Sequence, residues 1–224
     1  MTTNSDSRVR RRAPLSRERV LRAAISLADK EGIDALTMRR LGQQLSVEAM
    51  SLYKHVANKD DILDGITELV VSEIDLPGPD VEWKAAMRQR ARSTRDVLTR
   101  HPWATSVMES RANPGPATLR YYDSVIASLR AAGFSVAMAA HAFSVLDSYI
   151  FGFVVQQISL PFDTSDELTD VTAAILEQMP TDQFPHLTEM AVEHIMQPGY
   201  DRAGEFDFGL DLILDALERA RDTA

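Results

Sequence analysis

Two short apolar stripes broken at Ser46 constrain this chain more than any other stretch of it. Within residues 37–59, Met38, Leu41 and Leu45 fall at i, i+3 and i+7, one face of a helix of about two turns. Thr37 stands where an N-cap belongs, its hydroxyl able to accept from a first-turn N–H. After Ser46 the pattern restarts. Val47, Leu52 and Val56 can face inward, whereas Ser51, Tyr53, Lys54 and His55 cannot all do so. A second helix of about two turns with that much hydrogen-bonding surface has the shape and chemistry that enters a DNA major groove.

The charge distribution agrees once it is split. The 224 residues carry a formal net charge of −9, which alone argues against a polyanionic partner. Residues 1–60, however, hold 12 Lys and Arg against 7 Asp and Glu, and the remaining residues hold 12 against 26. A positive end beside two short helices and an acidic body suit a protein that meets DNA at one end only. Residues 1–14 are poor in apolar side chains and carry Arg8, Arg10, Arg11 and Arg12, which reads as a disordered basic arm. Such an arm either follows phosphates or serves as a solubilising tail.

The remainder of the chain reads as helix. Ser16 is placed to cap a first helix with Leu15 and Val20 as a hydrophobic staple; Val20, Leu21, Ala24, Ile25, Leu27 and Ala28 form its inner face, and Gly32 stops it. Asn58, with Asp61 three positions on, opens a fourth helix whose stripe is Ile62, Ile66, Leu69, Val70 and Ile74, ended by Pro77-Gly78-Pro79. Helical periodicity then predicts segments over residues 82–100, 103–110, 116–132, 135–158, 165–179, 185–196 and 203–221, with a break at Pro161-Phe162. Nothing alternates with period two for the length of a strand. The expected fold is all-α: a three-helix DNA-binding domain over residues 15–60, and a helical bundle over 61–224 joined to it by the fourth helix.

Some function classes recede at this stage. The chain has no cysteine, so disulfides, thiolate metal sites and cysteine nucleophiles are excluded. Its first residues lack the apolar core of a secretory signal, and a cytoplasmic location is expected. Residues 134–158 are the most apolar, yet His141, Asp147, Gln156 and Gln157 interrupt them, so a buried bundle helix is expected rather than a membrane span. His186, Glu189, Glu193 and His194 share one helix and raise the alternative of a helical metalloenzyme. They lack the His-Glu-x-x-His spacing and a matching pair on a second helix, and no glycine-rich phosphate loop or nucleophile elbow is present. No cofactor is expected, and no enzyme.

The run Leu52-Tyr53-Lys54-His55-Val56-Ala57-Asn58-Lys59, preceded by Leu36-Thr37-Met38-Arg39-Arg40-Leu41, resembles the helix-turn-helix of the tetracycline-repressor family of bacterial regulators. Two positions depart from the family pattern: Ser46 stands where Gly is usual at the turn, and Gly42 where Ala is usual. The resemblance implies that Arg39 reads a base, that Met50 and Ser51 open the exposed face of the recognition helix, and that Thr37, Tyr53, Lys54, His55 and Lys59 contact phosphates. It also implies double-stranded operator DNA as partner. A homodimer is implied by residues 206–214, which resemble the final helix of tetracycline repressors, and two subunits would read half-sites about one helical turn apart.

The resemblance further implies a small-molecule effector held in the bundle. Trp103, Met108, Tyr121, Tyr122, His141, Phe143, Asp147, Phe151 and Gln156 are the residues expected around its cavity, though the same residue types also make an ordinary helical core. The drug-binding histidines of tetracycline repressors have no counterpart. Met108-Glu109 and Ala112-Asn113-Pro114 occupy the neighbourhood of one, and the other falls near Asp75. The expected function is a repressor released from DNA by an effector other than tetracycline. A DNA-binding dimer without any ligand is the remaining alternative.

Overall fold

The structure, a computed structural model, describes residues 14–78, 80–110, 113–160 and 164–223. Apart from Pro14, the basic arm lies outside the described residues, as do Pro79, Ala112, Pro161 and Phe162 of the expected turns. Among the described residues the regular structure is entirely helical.

Helix α1 (Arg17–Glu31) begins where Ser16 Oγ accepts from Arg19 N and stops at Gly32, whose φ is 81°. Val20, Leu21, Ala24, Leu27 and Ala28 are its buried face. Helix α2 (Met38–Leu45) begins where Thr37 Oγ1 accepts from Arg40 N. It ends at Ser46, which adopts φ 56° and ψ 47°, the one non-glycine residue of positive φ among the described residues. The departure from glycine noted in the sequence therefore costs strain, since a Cβ in the left-handed region is unfavourable by about 1–2 kcal/mol. Ser46→Gly is expected to raise stability by about 1 kcal/mol, the gain being trimmed by the greater freedom of glycine in the unfolded chain. Urea melts of the two proteins check it, and an unchanged midpoint contradicts it. The companion departure also has a cause. A Cβ on Gly42 would lie 2.9 Å from the Val47 carbonyl oxygen and 3.2 Å from Ala49 N, backbone atoms of the turn that α2 must pass closely.

The recognition helix is shorter than its periodicity predicts. Helix α3 (Ala49–Leu52) is a single α turn, followed by a turn in which His55 N donates to Leu52 O at 2.8 Å with the tighter three-residue spacing and Val56 N donates to the same oxygen at 3.0 Å. The chain has to leave the helix there to bury Val56 and reach Asn58. The Asn58 side chain accepts from Asp61 N at 2.8 Å and opens α4 (Lys59–Val71). On α4, Ile62, Ile66 and Val70 are buried, whereas Ile74 is buried just beyond the helix end.

Seven helices follow: α5 (Trp83–Arg100), α6 (Ala104–Ser110), α7 (Pro116–Ala131), α8 (Val136–Ile158), α9 (Ser165–Gln178), α10 (Pro185–Met190), which runs into a π-helical turn (Ala191–Ile195), and α11 (Arg202–Thr223). Helices α5, α7, α8 and α11 enclose the core, with Leu98, Leu129, Phe134, Leu146, Phe206 and Leu210 fully buried. Along the surface Lys84, Arg88 and Arg92 of α5 pair with Asp215 and Glu218, Asp211, and Asp207 of α11. The steps of four run in opposite senses on the two helices, so the ladder selects an antiparallel register. Each exposed pair contributes at most about 1 kcal/mol, so the ladder acts on register more than on stability.

Inside, one cation joins three helices. Arg90 of α5 is 1% exposed; its Nε and Nη2 donate to Tyr121 Oη of α7 at 2.8 and 2.6 Å, and Nη2 also donates to Asp147 of α8. The guanidinium also lies over the Phe143 ring, 5.6 Å from its centre. Burial pushes the Asp147 carboxyl above the usual carboxylate range while Arg90 pulls it the other way.

Helix α8 is long and apolar enough to span a membrane by length and composition, with 28% of its most apolar window buried. Its buried residues Ala139, Ala142, Leu146, Ile150 and Val154 form one stripe in the core. The opposite face, including Val145, Ser148, Gly152 and Val155, is exposed, and nothing lies within 4 Å of where a Cβ on Gly152 would be. On α11, Phe206, Leu210, Leu214 and Leu217 are buried while Phe208 and Leu212 are 66% and 57% exposed.

Candidate functional site

The residues expected to meet DNA come from three consecutive helix starts, and the fold leaves most of them on the surface. Arg39 is exposed in the first turn of α2 and has no ion-pair partner among the described residues, whereas neighbouring Arg40 is held by Glu31. Met50 is 74% exposed and Tyr53 47%, with Lys54 exposed beside them and Ser51 and His55 half-buried. Lys59 is the first residue of α4. A cation is disfavoured at a helix N-terminus, so local helix energetics do not account for it. Thr37 has a role of its own, because its hydroxyl already caps α2.

The surface is held rigidly. Arg17 of α1 grips Asp61 of α4 through two hydrogen bonds of 2.8 and 2.6 Å, and Asp61 also accepts from Ala57 N at 2.8 Å. The Arg17 hydrogen bonds hold the Asp61 carboxyl below its usual range. Helix α1 and the start of α4 therefore carry α3 between them as one unit.

Behind this unit α4 packs on α1 with one face and on α6 and α7 with another. Where α4, α6 and α7 meet, a cavity of 430 Å³ opens, a size suited to a small molecule. Asp64, Thr67 and Glu68 of α4, Met108 of α6, Asn113, Pro114 and Gly115 of the following turn, and Thr118 and Tyr122 of α7 line it.

Only Met108 and Tyr122 of the nine residues expected around a ligand are on that wall. Tyr121 and Asp147 are engaged by Arg90 in the core. Phe143 packs edge-on against Tyr122, one layer behind the wall, and Phe151 is half-buried on α8. His141 and Gln156 are exposed on α8. Trp103 is buried and joins the two parts of the chain: its Nε1 donates to Asp29 Oδ1 of α1 at 2.7 Å, and His101 Nδ1 lies 2.7 Å from the same oxygen. Asp75 is not among the residues that line the cavity. It follows α4 and its N–H donates to Ser93 Oγ of α5. Asn113 and Pro114 do line the cavity, whereas Ala112 and the Glu109 side chain lie outside the described residues.

The wall residues Asp64, Thr67, Glu68 and Thr118 were not legible from sequence, since a polar residue beside an apolar stripe is ordinarily taken as solvated. The spacing of Asp64, Thr67 and Glu68 at i, i+3 and i+4 was the available signal: one polar face on a helix whose apolar face is otherwise continuous. The helix bearing His186 and His194 does not gather a metal set. His194 Nε2 faces Glu205 at 2.8 Å, His186 Nδ1 faces Glu189 at 3.7 Å, and no group of three potential ligands occurs among the described residues.

Comparison with known proteins places these features. Residues 20–66 match the model of bacterial regulatory proteins of the tetR family, and residues 76–221 match the model of the tetracyclin repressor-like C-terminal domain. The chain is 31% identical over 213 residues to the HTH-type transcriptional repressor DrrR1 of Streptomyces coeruleorubidus, covering 91% of this chain and 77% of that one. It is 33% identical over 213 residues to the class D tetracycline repressor protein of Escherichia coli, covering 92% and 90%. Among solved structures, the TetR family protein ActR of Streptomyces coelicolor in complex with actinorhodin superposes with a TM-score of 0.75 at 28% identity, covering 93% of this chain and 99% of that one.

Proposed function

This chain belongs to the tetR family of bacterial regulatory proteins, and from that membership we propose that it represses transcription as a homodimer bound to a palindromic operator and released by a small molecule. The observation that carries the reading is the surface formed by Arg39, Met50, Ser51, Tyr53, Lys54 and Lys59 on helix starts held together by the Arg17–Asp61 clamp. Arg39 reads guanine through O6 and N7, Met50 and Ser51 meet base edges, and Thr37, Tyr53, Lys54, His55 and Lys59 fix the register on phosphates. Residues 15–60 act as the reading domain and 61–224 as the domain of dimerisation and ligand binding.

The homodimer reading is supported by α8 and α11, which run antiparallel and each leave one apolar or small-residue face uncovered among the described residues. Two copies stacked on those faces make a four-helix interface with 3-4 packing. Leu212→Arg is expected to give a monomer in sedimentation at micromolar concentration and to lose binding to a two-half-site duplex. A dimer of unchanged stability sinks this choice of interface.

The effector reading is supported by the 430 Å³ cavity and by the relatives in whose solved structures actinorhodin or minocycline is bound. The proposed effector is a planar aromatic molecule other than a tetracycline, packed against Tyr122 and Met108. An effector that prefers one of two dimer geometries by about 100-fold supplies roughly 2.7 kcal/mol, enough to alter operator occupancy.

Selection of bound sequences from a random duplex library at two salt concentrations tests the reading. An enriched inverted repeat that persists at the higher salt is expected. Binding that is blind to sequence and vanishes with salt overturns it.

A further inference from the structure

The wall of the cavity contains a bond between the DNA-reading unit and the bundle. Helix α7 starts without a cap of its own: Gly115 at its N-cap has no side chain and Pro116 follows. The missing acceptor comes from α4, nearly fifty residues earlier. The Glu68 carboxylate accepts from Ala117 N at 2.5 Å, Thr118 N at 3.1 Å and Thr118 Oγ1 at 2.7 Å. A carboxylate on helix N-terminal amides is favoured by both hydrogen bonding and the helix dipole. Gly115 is what admits it, since a Cβ there would lie 2.6 Å from a Glu68 carboxylate oxygen.

Both sides of this bond face the cavity, as Glu68, Gly115 and Thr118 are all lining residues. The same α4 carries the Asp61 that clamps α1 and the Asn58 that ends the recognition segment. A molecule that pushes a group between Glu68 and Thr118 therefore separates α4 from α7, and with α4 go α1 and α3.

Resting on the DNA-binding reading above, we propose that Glu68 is a positioning residue that couples the cavity to DNA: its cap on α7 is closed in the DNA-binding state, and opening it releases the operator. By reciprocity, operator DNA must strengthen the cap as much as the cap strengthens DNA binding.

The test uses the full chain and the duplex that it selects. Amide exchange at Ala117 and Thr118 is measured with and without that duplex, alongside duplex affinity for four variants. In the native sequence, the two amides exchange about tenfold more slowly on DNA. Glu68→Ala abolishes that difference and weakens the duplex about tenfold, in the range of typical coupling. Gly115→Ala does the same by displacing the carboxylate while leaving Glu68 in the chain. Glu68→Gln, which keeps an acceptor oxygen, stays within about threefold of the native affinity, and Ile126→Ala, exposed on the same α7 but outside both the cap and the cavity wall, leaves it unchanged. Thermal melts establish that each variant is folded.

Exchange at Ala117 and Thr118 that ignores DNA, or a folded Glu68→Ala protein with native affinity, overturns the proposal while the repressor reading stands. If the native chain selects no sequence at all, the repressor reading is what has failed.

Discussion

Replacing Arg39 by alanine is expected to remove recognition of one base pair in each half-site and to leave the affinity for unrelated duplex nearly unchanged. A bidentate guanidinium–guanine pair carries about 1–3 kcal/mol of discrimination. A dimer on two half-sites loses it twice, roughly 2–6 kcal/mol, or about 30-fold to 25,000-fold in specific affinity. The contrast with Arg40 makes the prediction specific: Arg40 is committed to Glu31, whereas Arg39 stands exposed without an ion-pair partner among the described residues. Repeating the library selection with Arg39→Ala checks it. One position of each half-site should become degenerate while the rest of the motif persists. A motif weakened evenly at all positions means that Arg39 touches only phosphate, and base readout then falls to Met50 and Ser51.

The largest effect on stability is expected from Asp147→Asn. Asp147 is the only anionic partner of Arg90 among the described residues, and that guanidinium is 1% exposed with Nη1 buried and without a hydrogen-bond partner there. Removing one side of a buried pair typically costs about 3–5 kcal/mol, because a charge is left without compensation in low dielectric. The Asp147 side chain keeps 21% exposure, which puts the expectation near the low end, about 3 kcal/mol. For a chain of this length that is a fall of roughly 6–12 °C in Tm. Burial holds the Asp147 carboxyl above its ordinary range, whereas Tyr121 and Asp147 hold the Arg90 guanidinium above its own against desolvation, so desolvation and attraction oppose each other across the pair. Replacing both partners, Arg90→Met with Asp147→Leu, is accordingly expected to recover most of the loss. Thermal and urea melts of the three proteins decide this, and a single Asp147→Asn variant within about 1 kcal/mol of native would show that solvent reaches Arg90.

What the sequence determined by itself is what local physics determines. Ser16, Thr37, Asn58, Glu82 and Ser135 cap helices where their side chains can reach an amide three residues on, a bond that involves no distant residue. The apolar periods of α1, α2 and α4 report which face is buried, and Gly32 reports where α1 must stop. The helix-turn-helix was legible for this reason: its parts lie within 23 consecutive positions. Even its irregularity was visible, since Ser46 at a left-handed position and Gly42 at a close approach are both statements about nearby backbone.

Only the tertiary structure decided what each face is buried against. Periodicity marks Tyr121 and Tyr122 as adjacent aromatics on one helix; packing sends the first to Arg90 and the second to the cavity wall. It marks Trp103 as apolar, whereas its indole N–H donates to Asp29 of α1. Glu68 reads as a charge on a helix surface until α7 arrives without a cap and takes it. Each of these bonds joins residues separated by at least thirty positions along the chain, and no pattern within a single helix records which partner will arrive across such a gap.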